Sequence, residues 1–262
     1  MKLFKKGLLV GACCLFLSCQ IFKKPPQFTY YESYSGENIV YVDGAKRDAI
    51  TRKNPLLKKL KESSNVLVFE YDYSEKIDEL SEELIQGIRD YTEQKRVKIF
   101  DIITVSYGSV IFRNTVLKDN SKMFKDSNVI ELVPLLGGSS YAINASRVNR
   151  QKCMGLLSKI GFKDFRGVSN VLDPTGNFQE ELCNPKSLKK YFGSVRSGYI
   201  IQMEKDQNSP RPKDLEEFKE NYQRARGKNF IILDYLGITD PHQEILSHVN
   251  EIEKVRSRIL NQ

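Results

Sequence analysis

The chain has 262 residues, 40% of them hydrophobic, which is enough apolar material for a sizeable core and too much for a disordered chain. Basic residues exceed acidic ones by 8, but Lys2, Lys5 and Lys6 supply part of that surplus and the rest is scattered among acids, which argues against a nucleic-acid-binding surface. With 2 histidines in the chain and no HExxH or recurring CxxC pairing, no metal site is expected.

The chain opens with a basic stretch, MKLFKK, followed by the apolar GLLVGACCLFLS, which has the length of a signal segment and is too short to span a bilayer comfortably. Residues 1–18 are therefore read as a signal peptide. Leu15, Phe16, Leu17 and Ser18 before Cys19 resemble a relaxed lipobox, which makes Cys19 the lipidated first residue of the mature chain and the membrane its partner. Cys13, preceded by Val10, Gly11 and Ala12, competes for that role, although cleavage there leaves a short apolar run. The resemblance implies a bacterial cell envelope location. Residues 19–36, with two prolines among polar and aromatic residues, read as a tether. Beyond the anchor, an export compartment permits a disulfide between Cys153 and Cys183, two separate buried thiols being the alternative.

From residue 37 to 262 strands and helices alternate in one domain. The spacing predicts strands at Asn38–Val42 and Asn65–Tyr73, then a helix capped by Ser74 with Ile77, Leu80, Leu84, Ile85 and Ile88 on one face. Next come a strand at Val97–Val105, a helix at Ser109–Leu117 and a strand at Val129–Leu136. Later strands fall at Tyr199–Met203 and Phe230–Leu233, and a closing helix runs from about Gln243 to Leu260. Such alternation predicts an α/β fold, a mostly parallel sheet with helices on both faces. Residues 139–192 are polar and basic without a long strand, and read as an insertion.

The sharpest local signal is DIITVSYGSVIFRN, an apolar strand followed by Ser106, Gly108 and a helix. That context suits a serine held on a strained turn, with the helix amides facing an oxyanion. Thr104 replaces the first glycine of the GxSxG pattern, and a serine in such a turn also makes an ordinary helix start. Gly137 and Gly138 lack the Lys and Ser/Thr of a phosphate loop and read as turn glycines.

Over residues 37–260 the order of features resembles the α/β-hydrolase superfamily, in particular its lipase-like members. The carriers are VYVDG, the elbow TVSYGS, ELVPLLGGS, the insertion, IIQMEKDQNSP after a late strand and FIILDYLGITDPH after the last one. VLDPTGNFQEEL is similar to a stretch in the cap of bacterial lipase-like relatives, which implies that the insertion is a helical cap. The chain departs from the pattern at Asp43, where His is usual before Gly, and at Thr104, where Gly or Ala is usual.

A serine hydroxyl needs a base within hydrogen-bond reach, itself oriented by a carboxylate. Only His242 and His248 can be that base, and Ser106, Asp206 and His242 satisfy the chain order Ser, acid, His expected for this fold. Asp173, Asp234 and Asp240 compete as the acid, although Asp173 and Asp240 each precede proline and look like turn formers. His248 is expected inside the closing helix, on a face with Ile245, Ile252 and Val255. The oxyanion donors implied are the backbone amides of Tyr107 and Ala45. The expectation is a membrane-anchored serine ester hydrolase of the lipase/esterase kind that needs no cofactor and takes acyl esters, with lipids favoured. The alternatives are a non-catalytic surface lipoprotein on the same fold, and a peptidase or thioesterase that uses the same triad.

Overall fold

The computed structural model describes residues 26–33, 36–44, 54–71, 75–99, 101–135, 178, 181–182, 184–203, 230–233 and 245–260. Its strands are β1 (Gln27–Tyr31), β2 (Asn38–Val42), β3 (Asn65–Glu70), β4 (Asp101–Val105), β5 (Asn128–Leu132), β6 (Ser197–Met203) and β7 (Phe230–Leu233). The helices are α1 (Pro55–Ser63), α2 (Ile77–Lys95), α3 (Tyr107–Lys118), α4 (Pro185–Gly193) and α5 (Val249–Leu260), the last preceded by a 3-10 turn at Ile245–Ser247.

The described strands form one sheet in the order β1-β3-β2-β4-β5-β6-β7, parallel throughout except for β1, which runs antiparallel to β3. Strand order reverses where β2 lies beside β4. A crevice at the carboxyl ends of the strands is expected at such a switch point. The sheet is covered on both faces. Val40, Val42, Phe69, Ile102 and Val129 pack with α2, α3 and α4 on one side. Ile39, Tyr41, Val66, Ile103 and Ile130 pack with α1 and α5 on the other. Burial on both faces explains why the central strands NIVYV and DIITV are nearly continuous apolar runs with no exposed residue.

The amino edge of the sheet is closed by polar residues. Asp101, Asn128 and Ser197 start three adjacent strands in register. Asn128 Nδ2 donates to Asp101 Oδ1 at 2.9 Å, and Ser197 Oγ to Asn128 Oδ1 at 2.7 Å. Arg256 of α5 donates to Asp101 Oδ2 at 2.7 Å and also pairs with Glu37. This edge is occupied by its own hydrogen bonds, which leaves the carboxyl edge for chemistry.

Several boundaries differ from the sequence expectation. The fold starts before residue 37, because Gln27–Tyr31, read as part of the tether, is an edge strand whose Phe28 packs on Phe69 at 4.9 Å and whose Tyr30 packs on Tyr91 at 5.2 Å. Gly87 of α2 makes room for it: a Cβ there would come within 2.0 Å of the Phe28 ring. The α1 helix was not anticipated, although Asn54 Oδ1 accepts from Leu57 N–H at 3.0 Å and Pro55 opens the first turn. Within the stretch read as an insertion, Pro185–Gly193 is a core helix that buries Leu188, Tyr191 and Phe192. The last helix begins at Val249, and His248 stands at its amino end, its carbonyl accepting from Ile252 N–H, instead of inside the helix. Of the neighbours foreseen for it, Ile252 and Val255 are buried in the core. No described helix is long and apolar enough to cross a membrane.

Candidate active site

Strand β4 delivers Ser106 to the carboxyl edge at the switch point, and α3 begins at the next residue. Ser106 adopts φ 53° and ψ −119°, outside both the right- and left-handed helical regions that side chains ordinarily occupy. Such a conformation costs about 1–3 kcal/mol and persists only where the surroundings enforce it. Here Ser106 N–H donates to Leu132 O at 2.9 Å across to β5, and Ser106 O accepts from Ser109 N–H at 3.1 Å in the first helical turn. The chain thus turns sharply from strand to helix with the serine at its apex, only 8% of its surface exposed.

Gly108 is the residue that lets the helix start so close to the sheet. A Cβ at that position would lie 2.4 Å from Asp43 O and 2.6 Å from Val42 O, both backbone atoms at the end of β2. Alanine normally favours a helix over glycine by about 1 kcal/mol. That gain is too small here, because forcing the backbone apart costs typically 1–3 kcal/mol. Gly108→Ala is therefore expected to lower the melting temperature by several degrees. A variant as stable as the parent would show that the contact is not constraining.

Thr104 is accommodated by a local partnership. Its Oγ1 lies 2.8 Å from Ser109 Oγ, and both residues are completely buried. The hydroxyl of the bulkier residue is satisfied by the first turn of α3, so the strand and the helix that bracket Ser106 are linked side chain to side chain. Asp43 is also built in. Only 4% exposed, it follows β2 directly, and its Oδ1 accepts from Gly44 N–H at 2.7 Å. Gly44 faces the serine, since a Cβ there would lie 3.4 Å from Ser106 Cβ.

Tyr107, whose amide is the implied oxyanion donor, is fully buried, and its hydroxyl has no hydrogen-bond partner among the described residues. Burial raises the pKa values of Tyr107 and Tyr71 well above the usual phenol value, so both rings stay neutral. The helix start at Tyr107 turns its first amides toward the carboxyl edge, where they favour negative charge.

Beneath this turn Arg113 and Glu131 form a buried two-pronged ion pair, Nε to Oε1 at 2.8 Å and a second guanidinium nitrogen to Oε2 at 2.6 Å, each side chain 1% exposed. Tyr191 of α4 donates to Glu131 Oε1 at 2.9 Å. Sequence inspection passed over this cluster, although an arginine within the apolar α3 and a glutamate within VIELV were visible signals. A cleft of about 440 Å³ lies between α3 and α4, lined by Asn114, Leu117, Phe178, Leu182 and Lys190. Asn114 and Leu117 are 8 and 11 residues beyond Ser106, roughly 12–17 Å of helix rise, so this cleft is not the serine's own.

Of the residues singled out from sequence, Ser106 and Tyr107 stand together at the elbow. Ala45, Asp206, His242, Cys19, Cys153 and Cys183 lie outside the described residues, as do the competing Asp173, Asp234 and Asp240 and the cap stretch VLDPTG. His248 is partly buried, its Nδ1 4.0 Å from Glu251. Among the described residues, no cluster of His, Cys, Asp and Glu has the makings of a metal site.

The fold of this chain recurs in solved structures. A carboxylesterase of the thaumarchaeon Nitrososphaera gargenis is 13% identical, with 92% of this chain and 97% of that chain covered at a TM-score of 0.57. The fold is that of the α/β-hydrolases. The enol-lactonase of Burkholderia xenovorans LB400 is 11% identical over 90% of this chain and 96% of that one, with a TM-score of 0.59. A lipase of Bacillus licheniformis in its mature form is 13% identical over 90% and 99%, with a TM-score of 0.58. No protein-family model and no curated protein sequence matches the chain. The expected superfamily architecture, a mostly parallel sheet with helices on both faces, is thus borne out.

Proposed function

We propose that the protein is a serine ester hydrolase of the lipase/esterase kind, tethered to a membrane of the bacterial cell envelope through lipidated Cys19. The observation that carries the reading is the conformation of Ser106, φ 53° and ψ −119° between a buried strand and a helix start. A structural serine gains nothing from that strain, whereas a nucleophile gains exposure to the carboxyl edge and a helix N-terminus aimed at the oxyanion. The solved neighbours include carboxylesterases and lipases, which supports the reaction class.

In this reading Ser106 Oγ attacks the ester carbonyl while His242 takes its proton, and the amides of Tyr107 and Ala45 hold the oxyanion. His242 then returns the proton to the leaving alcohol, and the acyl group remains on Ser106. A water, deprotonated by the same histidine, releases the acid and restores the serine. Asp206 keeps the imidazole in the tautomer that accepts from the serine. Membrane tethering favours acyl lipids as substrates.

The test is hydrolysis of p-nitrophenyl esters of rising chain length by the full-length protein and by two histidine variants. His242→Ala is expected to lose nearly all turnover. His248→Ala, changed at the amino end of α5, is expected to keep most of it. Turnover that rises with acyl length supports lipid substrates. Equal rates for the two variants, both folded by circular dichroism, would overturn His242 as the base.

A further inference from the structure

The turn that follows β2 is held in place by two side chains outside the triad. Asp43 Oδ1 accepts from Gly44 N–H at 2.7 Å, so the turn is closed by the side chain of its own first residue. The backbone oxygen of Asp43 accepts from Tyr71 Oη at 2.8 Å, a buried bond between segments 28 residues apart. That same oxygen is the atom pressed against Gly108. Tyr71, one residue beyond β3 and 4% exposed, stacks on Phe69 with centroids 5.5 Å apart and lies against the Tyr107 ring at 6.1 Å.

Tyr71 therefore touches both sides of the oxyanion region. Its hydroxyl holds the peptide before Gly44, and its ring rests on the residue after Ser106. An oxyanion hole made from two loops works only if both amides converge on one oxygen, and a displacement of about 1 Å can cost 100-fold in rate.

We propose that Asp43 and Tyr71 are positioning residues, which fix the Asp43–Gly44 turn against the elbow and so hold the backbone that borders Ser106 in its working place. This inference rests on the hydrolase reading of Ser106. It explains why Asp43 is tolerated beside the nucleophile: the carboxylate accepts from the turn's own amide, and the tyrosine secures its carbonyl.

Three substitutions in the full-length protein test it, with kcat and KM measured on p-nitrophenyl butyrate and amide exchange followed for the segment containing Gly44. Tyr71→Phe removes one donor and is expected to lower kcat about tenfold, with KM unchanged within about twofold. Asp43→Ala should lower kcat at least as much. Asp43→Asn, which keeps an oxygen to accept from Gly44 N–H, should restore most of that loss. Exchange at Gly44 should quicken in Tyr71→Phe and Asp43→Ala and stay slow in Asp43→Asn. A parental kcat in Tyr71→Phe, an Asn variant as impaired as the Ala variant, or a loss confined to KM would overturn the assignment. If the parent has no Ser106-dependent turnover, it is the hydrolase reading that fails. Exchange then decides the anchoring alone, and an unchanged rate at Gly44 in Tyr71→Phe refutes it.

Discussion

Replacing Ser106 by alanine is expected to lower ester turnover by about 10⁴-fold or more while leaving the protein folded, because what remains is catalysis by the oxyanion hole and binding alone. Glycine at the same position gives a sharper result. The backbone at φ 53° and ψ −119° is one that glycine adopts freely and that any residue with a Cβ adopts only under strain. Ser106→Gly should therefore abolish turnover and still melt at a higher temperature than Ser106→Ala. Relief of a strain of about 1–3 kcal/mol outweighs the extra freedom glycine brings to the unfolded chain, about 0.5–1 kcal/mol. Turnover and melting temperature of the two variants, measured side by side with the parent, decide the matter. Retention of most activity in Ser106→Ala would make the serine structural, and a Gly variant less stable than the Ala variant would show that the turn is unstrained.

The elbow was legible in the sequence because it joins two strong local patterns. DIITV is apolar at almost every position, as a strand buried on both faces must be, and Gly108 two residues past the serine allows the helix to start against β2. The same continuous pattern located β2 and β7 to the residue. It failed at Val97–Ile99, where apolar residues precede the strand: Ile99 is buried but β4 begins only at Asp101. Strand β1 was hidden for another reason. Its aromatic residues follow two prolines and look like part of a linker until Phe69, Gly87 and Tyr91 are brought beside them from 40 to 60 residues away. What the local pattern cannot contain is the partner that satisfies a departure from it. Thr104 and Asp43 read as defects in a motif, and each is completed by a hydrogen bond, to Ser109 and to Gly44, that only the turn geometry creates.

Glu131→Ala is expected to destabilise the protein by about 3–5 kcal/mol, a large part of the roughly 5–15 kcal/mol that holds a typical domain folded. The reason is the state in which it leaves Arg113. With Glu131 gone, a guanidinium only 1% exposed loses the two charged hydrogen bonds it makes to that carboxylate, and the Tyr191 hydroxyl loses its bond to Glu131 Oε1. The intact pair need not contribute stability of that size, since the cost of removing two charges from water offsets much of their attraction. Its value is geometric: it fastens α3 to β5 one residue before Leu132, whose carbonyl accepts from the Ser106 amide. A double replacement, Arg113→Met with Glu131→Leu, removes both charges and fills the space with apolar atoms, so it should recover most of the stability lost in the single variant. Urea unfolding of the two proteins measures the difference. A loss below about 1 kcal/mol in Glu131→Ala, or a double variant as unstable as the sum of the single changes, would mean that the guanidinium finds another partner when Glu131 is absent. Where the double variant is stable, its turnover reports what the pair does for the elbow: α3 held by apolar packing alone should carry Ser106 less accurately, and kcat should fall while the melting temperature does not.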